Sequence, residues 1–349
     1  MIIDEIKLKV DELSDDFMIK SIPSNYYVTF DKISTYETIV THLHSKLIVI
    51  DRNVAKINNI NDAPNIIKID ANEENKNIQT VLHICDLLES ISFKKNDYLV
   101  VIGGGIIQDI CAIAAKLFKR GIKWIYIPTT LLSICDSCIG GKAAVNNNNI
   151  KNQLALFTAP SKVIININFL KTLSDNDINC GIGEIVKLFA LGGDEYINTF
   201  DVTQIHSFEY LEQISKQALF IKKAVIEHDE FEKSTRKSLN YGHTFGHAIE
   251  SATNYKIPHG ISIMYGMYIV NKFFNENEKL NDILKSFIDE NTLKNLFTKN
   301  IDNILRLVSK DKKNLTHKLL LVRLPNCGEC IHTEIDMDTS AIVKLQNIQ

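Results

Sequence analysis

The sequence predicts an α/β domain followed by a mostly helical domain. Three observations carry this. In the first half, short apolar runs that end on an acid, a glycine or a proline alternate with stretches of helical periodicity. That alternation builds a mostly parallel sheet covered by helices on both faces. From about Thr172 the strand-like runs give way to one helical stretch after another. At 349 residues the chain is long enough for two domains. The boundary is placed near Ser174, giving residues 1–173 and 174–349.

Taken in order, Leu47-Ile48-Val49-Ile50 is a strand that ends at Asp51, and Ile66-Ile67-Lys68-Ile69 one that ends at Asp70. A helix is expected from about Lys76 to Ser90. Tyr98 to Ile102 is a strand that runs into Gly103, followed by a helix from about Ile106 to Lys119. Trp124 to Ile127 is a strand closed by Pro128. The tract Asn146 to Asn149 reads as a loop of no particular function, reflecting a chain rich in Asn and Ile. Beyond the boundary, helices are expected at Leu173–Leu191, Phe208–His228, Leu239–Asn254, Ile261–Asn275, Asn281–Asp289 and Asn300–Lys310. A single short strand is expected at Lys318–Leu324. No internal repeat is visible.

The composition is that of an ordinary globular protein, with 45% hydrophobic and 23% charged residues and a net charge of −3. No face is strongly basic, which argues against a nucleic-acid partner. Met1-Ile2-Ile3-Asp4-Glu5 lacks the apolar core of a signal peptide, and no apolar run is long enough to span a bilayer. The expected location is therefore the cytoplasm, with no membrane partner. The 7 cysteines are an odd, scattered set. Two C-x-x-C pairs occur, Cys135/Cys138 and Cys327/Cys330. A zinc ribbon needs its pairs about fifteen to twenty residues apart, and these lie in opposite halves of the chain. Reduced thiols are the better reading.

Several residues carry chemistry. Gly103-Gly104-Gly105 follows a strand and opens a helix, with Asp109 one turn in. Backbone N–H groups at such a turn can approach a pyrophosphate, although three glycines also make a plain tight turn. Asp51, at the end of an earlier strand, suits either ribose hydroxyls or a helix N-cap. Asp136-Ser137-Cys138-Ile139-Gly140-Gly141-Lys142 is a second glycine-rich loop. Lys151-Asn152 adds a cation and an amide, and lysines beside glycines suit a phosphate or are simply solvated. In the second half, Glu184 lies in Gly183-Glu184-Ile185-Val186-Lys187. His243 and His247 lie in Gly242-His243-Thr244-Phe245-Gly246-His247, and His259 in Pro258-His259-Gly260. A carboxylate and two imidazoles can hold a catalytic divalent metal with positions left for substrate. His243 and His247 are four apart and share a helix face. Spacing alone allows both to be ligands, or one a ligand and the other an acid/base. Lys187, three residues after Glu184, projects on the same side. Lys222 and Arg236 add further cations.

With these motifs in place, the chain resembles the 3-dehydroquinate synthase family of sugar phosphate cyclases. The resemblance runs from about Asp51 to Asn314. It rests on Gly103-Gly104-Gly105 with Asp109, Lys119-Arg120-Gly121, Pro128-Thr129-Thr130-Leu131-Leu132, and Asp136-Ser137 with Gly140-Gly141-Lys142. It continues through Lys151-Asn152, Glu184 with Lys187, Asn240 through Glu250, His259-Gly260 and Asp311-Lys312-Lys313. The resemblance implies a Rossmann-like α/β domain, a helical domain and a site in the cleft between them. It implies Glu184, His243 and His259 as ligands of zinc or cobalt, and His247 as a substrate-contacting acid/base. It implies NAD held by Asp51, Glu73, Lys76, Gly104, Gly105, Asp109, Thr129 and Thr130, with Lys142 and Lys151. The substrate pocket would take Asp136, Lys142, Asn152, Lys187, Lys222, Arg236, Asn240 and Lys313. Arg120 would join them from the neighbouring subunit of a homodimer.

The chain departs from the family pattern at Asn72, Gln108, Ala143, Ile150 and Ile261. The family reaction turns 3-deoxy-D-arabino-heptulosonate 7-phosphate into 3-dehydroquinate and phosphate. It belongs to the shikimate pathway of aromatic amino acid biosynthesis and is a carbon–oxygen lyase reaction. Arg236 and Asn240 match the pattern of the acidic-substrate enzymes. The alternatives are a cyclase of specialised metabolism and a metal-dependent NAD polyol dehydrogenase. A reading of Arg236 as metal-facing follows if one helix carries Arg236, Asn240 and His243 at spacings of four and seven.

Overall fold

The computed structural model describes residues 1–31, 45–148, 150–309, 318–336, 339–346 and 348. The chain forms two compact units, one of Leu13–Ser174 and one that joins Met1–Glu12 to Asp175–Gln349. The chain opens with two short strands of the second unit, β1 (Ile2–Ile3) and β2 (Ile6–Lys7).

The α/β unit is built on β3 (Asp16–Ile19), β4 (Tyr26–Phe30), β5 (Ser45–Asp51), β6 (Ile66–Ile69), β7 (Tyr98–Gly103), β8 (Lys123–Pro128) and β11 (Lys162–Ile165). The strand order is β3-β4-β11-β8-β7-β5-β6. Every neighbour pair is parallel except β3 with β4 at one edge. Central strands of a parallel sheet are covered on both faces, so they are apolar throughout and do not alternate. Leu99, Val100, Val101 and Ile102 of β7 are accordingly all fully buried. Ile48, Ile50, Val100, Ile102, Ile125, Ile127 and Ile164 form one continuous cluster. Helices α1 (Arg52–Ile57), α2 (Ile78–Ser90) and α3 (Gly105–Leu117) follow β5, β6 and β7. Asn77 caps α2 by accepting the Thr80 N–H, and Val81, Ile84 and Leu88 form its buried stripe.

Three strands of this sheet, β3, β4 and β11, have no counterpart in the sequence reading. Nor does the antiparallel hairpin of β9 (Lys142–Asn147) and β10 (Ile150–Phe157). The tract expected as a loop is therefore partly strand. Asn146 and Asn147 end β9, Asn148 turns, and Asn149 lies outside the described residues.

The second unit contains α4 (Asp175–Gly192), α5 (Asp194–Ile197), α6 (Phe208–His228), α7 (His243–Ala252), α8 (His259–Phe274), α9 (Glu278–Leu284), α10 (Glu290–Ser309) and α11 (Thr339–Gln346). Helix α4 is buried on all sides from Gly181 onward, as befits a central helix. The expected strand at Lys318–Leu324 is β12 (Lys318–Asn326). It pairs with β13 (Glu329–Asp336), which adds β1 in parallel and then β2. Residues 1–12 therefore belong with the helical unit and not with residues 13–173, because β1 finds its partner there and Ile3 is wholly buried. The backbone of Gly328, in the β12–β13 turn, donates to Ala190 O of α4 at 2.7 Å. No described helix is long and apolar enough to cross a membrane, and all 7 cysteines are free thiols.

Candidate active site

Glycine brings the helices of the second unit close enough for their side chains to converge. A Cβ on Gly183 of α4 would fall inside van der Waals contact of Gly260 O, and one on Gly260 of α8 inside that of Cys180 O. The two helices thus touch backbone to backbone beside Glu184 and His259. Helix α7 meets α8 in the same way. A Cβ on Gly266 would collide with Gly242 O, and Gly242 itself has φ +77°, a left-handed conformation that glycine adopts without strain. That turn starts α7 at His243.

The ligand-type atoms of Glu184, His243 and His259 lie within 4.8 Å of one another. Glu184 is 1% exposed. Its Oε1 accepts from His259 Nε2 at 3.0 Å and lies 3.6 Å from His243 Nε2. Its Oε2 forms an ion pair with Lys187 Nζ yet accepts no well-formed hydrogen bond among the described residues. Burial alone would raise the Glu184 carboxyl, but Lys187, His243 and His259 outweigh it and hold it well below the usual carboxylate range. Burial and then Lys187 push the His243 imidazole well down, so it is neutral. Its Nδ1 lies 3.1 Å from Tyr241 O, which makes Nδ1 the protonated nitrogen and turns the Nε2 lone pair inward. Burial opposes charge on His259, but Glu184 and Glu250 push its pKa up to about 10.

An anionic carboxylate oxygen within reach of two imidazoles, one of them with its Nε2 lone pair turned inward, fits a divalent cation of the zinc or cobalt type. Glu250 was given no role from sequence. It lies seven residues after His243 on α7, so two helical turns bring it to the same side, and its Oε2 takes His259 Nδ1 at 3.3 Å. A carboxylate behind a ligand histidine fixes its ring and raises its basicity. The spacing was visible in the sequence, but its target on another helix was not.

His247 is exposed on α7, with its ring centroid 5.1 Å from that of His243 and 5.8 Å from that of His259. Lys187, Lys222 and Arg236 are all buried, at 2%, 5% and 1% exposure, which gives this unit an interior unusually rich in cations. Asp229 organises the segment that carries Arg236. Its carboxylate accepts the backbone N–H groups of Lys233, Ser234 and Arg236, and the Arg236 side chain donates to Glu230 O. Asn240 donates to Glu232 at 2.9 Å. Arg236 and Asn240 lie on a 3₁₀ helix, Thr235–Asn240, and the turn at Gly242 separates it from α7. The single-helix spacing argument for Arg236 therefore does not hold, and the expected helix Leu239–Asn254 begins at His243.

In the α/β unit, Gly103 ends β7, Gly104 caps α3, and Gly105 opens it, where an added Cβ would meet only Ser137 Oγ at 3.9 Å. Asp51 ends β5 and caps α1 by accepting the Asn53 N–H at 2.8 Å. Lys76 Nζ pairs with Asp109 at 2.7 Å and donates to Asn152 Oδ1 at 2.8 Å. Glu73 pairs with Lys151 at 3.1 Å and accepts from Asn146 at 2.7 Å. Thr129 donates its backbone N–H to Gly103 O, and Thr130 Oγ1 bonds Ser133. Asp136 lies in the turn Ser133–Ser137, and Lys142 is exposed at the start of β9. Arg120 is exposed on a turn in which Lys119, Arg120 and Gly121 all have positive φ. Gln108, the departure at the glycine-rich turn, is buried. It donates to Ser137 O at 2.7 Å and accepts from Ser137 Oγ at 2.8 Å, so it ties α3 to the loop of Asp136. Lys313 lies outside the described residues.

Comparison with known proteins agrees with this architecture. The 3-dehydroquinate synthase N-terminal family matches residues 66–180, and the 3-dehydroquinate synthase C-terminal family matches residues 181–314. The 3-dehydroquinate synthase of Pelagibacter ubique is 36% identical over 351 residues, 94% of each chain. Among solved structures, 2-deoxy-scyllo-inosose synthase complexed with carbaglucose-6-phosphate, NAD+ and Co2+ superposes with TM-score 0.81 at 21% identity, covering 96% of this chain and 100% of that one. The 2-epi-5-epi-valiolone synthase of Streptomyces hygroscopicus with NAD+ and Zn2+ bound follows at 0.76 and 20%, covering 94% and 98%. These two likenesses speak to the fold, while the sequence matches speak to kinship. With both halves matched in order and a relative above a third identical along nearly its whole length, the chain belongs to the 3-dehydroquinate synthase family.

Proposed function

We propose that the protein cyclises 3-deoxy-D-arabino-heptulosonate 7-phosphate to 3-dehydroquinate with loss of phosphate, as a carbon–oxygen lyase dependent on NAD and a divalent metal. The observation that carries this reading is the Glu184–His243–His259 set, built by glycine-packed helices in a chain of this family. Zinc or cobalt would be held by those three residues. NAD would be held by the strand-to-helix turn at Gly104 and Gly105 with Asp51, Glu73, Lys76, Asp109, Thr129, Thr130, Lys142 and Lys151. Bound there, the metal would supply polarisation of the substrate's hydroxyls and NAD a reversible hydride acceptor, so the overall reaction would be redox-neutral.

The chain's own residues do the rest. Glu250 holds the His259 ring in place from behind. Lys187 supports the Glu184 carboxylate in its ionised form. His247, exposed beside both imidazoles, accepts the hydroxyl proton from the substrate carbon that is oxidised. The substrate carries about three negative charges on its carboxylate and phosphate, which suit a cationic site. Lys142, Lys187, Lys222, Arg236, Lys313 and Arg120 of a second subunit supply that site, and Arg236 offers a fork for the carboxylate. Asp136, Asn152 and Asn240 orient the hydroxyls. Holding each intermediate in one place supplies much of the catalysis. In a homodimer, Arg120, exposed on its turn, would reach the neighbouring site. The expected setting is the cytoplasm and the shikimate pathway.

The test is phosphate release by the metal- and NAD-loaded enzyme. The heptulosonate phosphate should be turned over in preference to sedoheptulose 7-phosphate and glucose 6-phosphate, without accumulation of NADH. Steady NADH production would replace this reading with a polyol dehydrogenase, and preference for a neutral sugar phosphate with a specialised cyclase.

A further inference from the structure

We infer that Asn146 is a positioning residue that couples the cofactor side of the α/β unit to its substrate side, by holding Glu73 and Asn152 with one amide. The inference rests on the proposed roles of Glu73 toward NAD and of Asn152 toward the sugar phosphate. Asn146 Nδ2 donates to Glu73 Oε2 at 2.7 Å and lies 3.2 Å from Glu73 O. Its Oδ1 accepts the Asn152 backbone N–H at 3.0 Å. Its own backbone N–H donates to Lys76 O at 2.8 Å, so the end of β9 is stitched to the segment before α2.

Asn152 needs such a hold. Its φ is +54°, a left-handed conformation that disfavours a residue with a Cβ. It also sits where the β9–β10 register shifts, between Ile150 and Leu154, so ladder hydrogen bonds do not fix it. The Asn146 carbonyl secures its backbone, and Lys76 Nζ secures its side-chain oxygen. Lys76 in turn pairs with Asp109, next to the glycine-rich turn. The primary amide donates to the Glu73 carboxylate through its nitrogen while accepting from the Asn152 N–H through its oxygen. Aspartate has the same shape but can only accept, and it would set a second negative charge against Glu73.

The experiment pairs Asn146→Ala with Asn146→Asp and reads calorimetric NAD affinity, the KM for the heptulosonate phosphate and the melting temperature. Asn146→Ala should weaken NAD binding and raise KM, each on the order of tenfold, the effect of one lost hydrogen bond to a charged group or a strained backbone. Asn146→Asp should weaken NAD binding by a similar factor but move KM less, because its carboxylate still accepts from Asn152. If Asn146→Ala fails to fold, the isosteric Asp variant and its split between NAD affinity and KM carry the test. Glu73→Ala and Asn152→Ala serve as references. If these weaken NAD and substrate binding respectively, while both Asn146 variants stay within about twofold of wild type, the coupling is overturned and the proposed function stands. If Glu73→Ala leaves NAD affinity unchanged, the assignment of Glu73 falls and the coupling falls with it.

Discussion

Around Glu184 the functional side chains are held by backbone against backbone. Helices α4, α7 and α8 meet at Gly183, Gly260, Gly242 and Gly266, where no Cβ fits. Around Asp109 they are held by side chain against side chain, through Glu73 and Lys76 on one loop and Asn146, Lys151 and Asn152 on a hairpin. The first arrangement has almost no slack, since a main-chain atom cannot rotate out of the way. The second is a polar network with several members, each of which can be lost in part. The two regions should therefore fail differently.

The largest effect is expected from Gly260→Ala. The added methyl would strike Cys180 O and force α8 away from α4. The expected outcome is a loss of about 3 kcal/mol or more in stability, together with loss of bound metal, because α8 carries His259. Thermal unfolding and metal analysis measure both. A variant with full metal content would break the contrast at its stronger end.

Next is Glu250→Gln, which keeps the shape of the side chain behind His259 but removes its charge. Metal affinity, measured by chelator competition, should drop roughly 10- to 100-fold. The pH dependence sharpens the test. His259 in the metal-free protein is pushed up to about 10 and so carries a proton at neutral pH, which a metal must displace. Affinity should therefore fall with falling pH, by up to about tenfold per unit, through the range below that pKa. The neutral His243 contributes nothing to this slope near neutrality. The Glu250→Gln variant holds the His259 proton less tightly, so the two affinity curves should lie farthest apart near pH 9–10, on the order of the same 10- to 100-fold, and converge as pH falls. Parallel curves would mean that Glu250 does not act through His259.

The smallest effect is expected in the α/β unit. Gln108→Ala removes both hydrogen bonds to Ser137 and loosens the Asp136 loop from α3. The substrate KM should rise about two- to fivefold, as for one or two modest hydrogen bonds, with NAD still bound. A collapse of activity by a factor of hundreds would show that this region is as unforgiving as the helical one.

Much of this was readable from the chain. Buried parallel strands leave apolar runs, and that is why β5, β7 and β8 could be placed closely; the edge strand β6 is only partly buried and carries Lys68, yet its isoleucines still marked it. Glycines flanking Glu184, His243 and His259 pointed to a special site, and the structure supplies the reason, which is contact between helix backbones. Strand β11 left the same kind of signal in Val163-Ile164-Ile165, and it was there to be read. Strands β3 and β4 mix polar and apolar residues at the sheet edge and carry less local information. The 3₁₀ helix of Arg236 could not be told from the start of α7 by spacing, because the break depends on the backbone conformation of Gly242. Contacts such as Glu250 to His259, or Asn146 to Glu73, join residues far apart in sequence or on separate elements, and periodicity does not register them.

The pairing of Ile2 and Ile3 with Glu329 and Cys330 makes the α/β unit an excursion from the helical one. The chain leaves after Glu12 and returns at Asp175, so the helical unit is sequence-discontinuous while the α/β unit is not. During synthesis β1 emerges first and its partner about 330 residues later, a wait of roughly 15–65 seconds at ordinary translation rates. The α/β unit has all its strands in hand long before that and can fold as a unit in the interval. A fragment cut at residue 173 from the first residue onward would carry β1 and β2 with their partner strand missing. One spanning 13–174 would carry no orphaned strand among the described residues, and that is where a scissor should be placed to study the α/β unit alone.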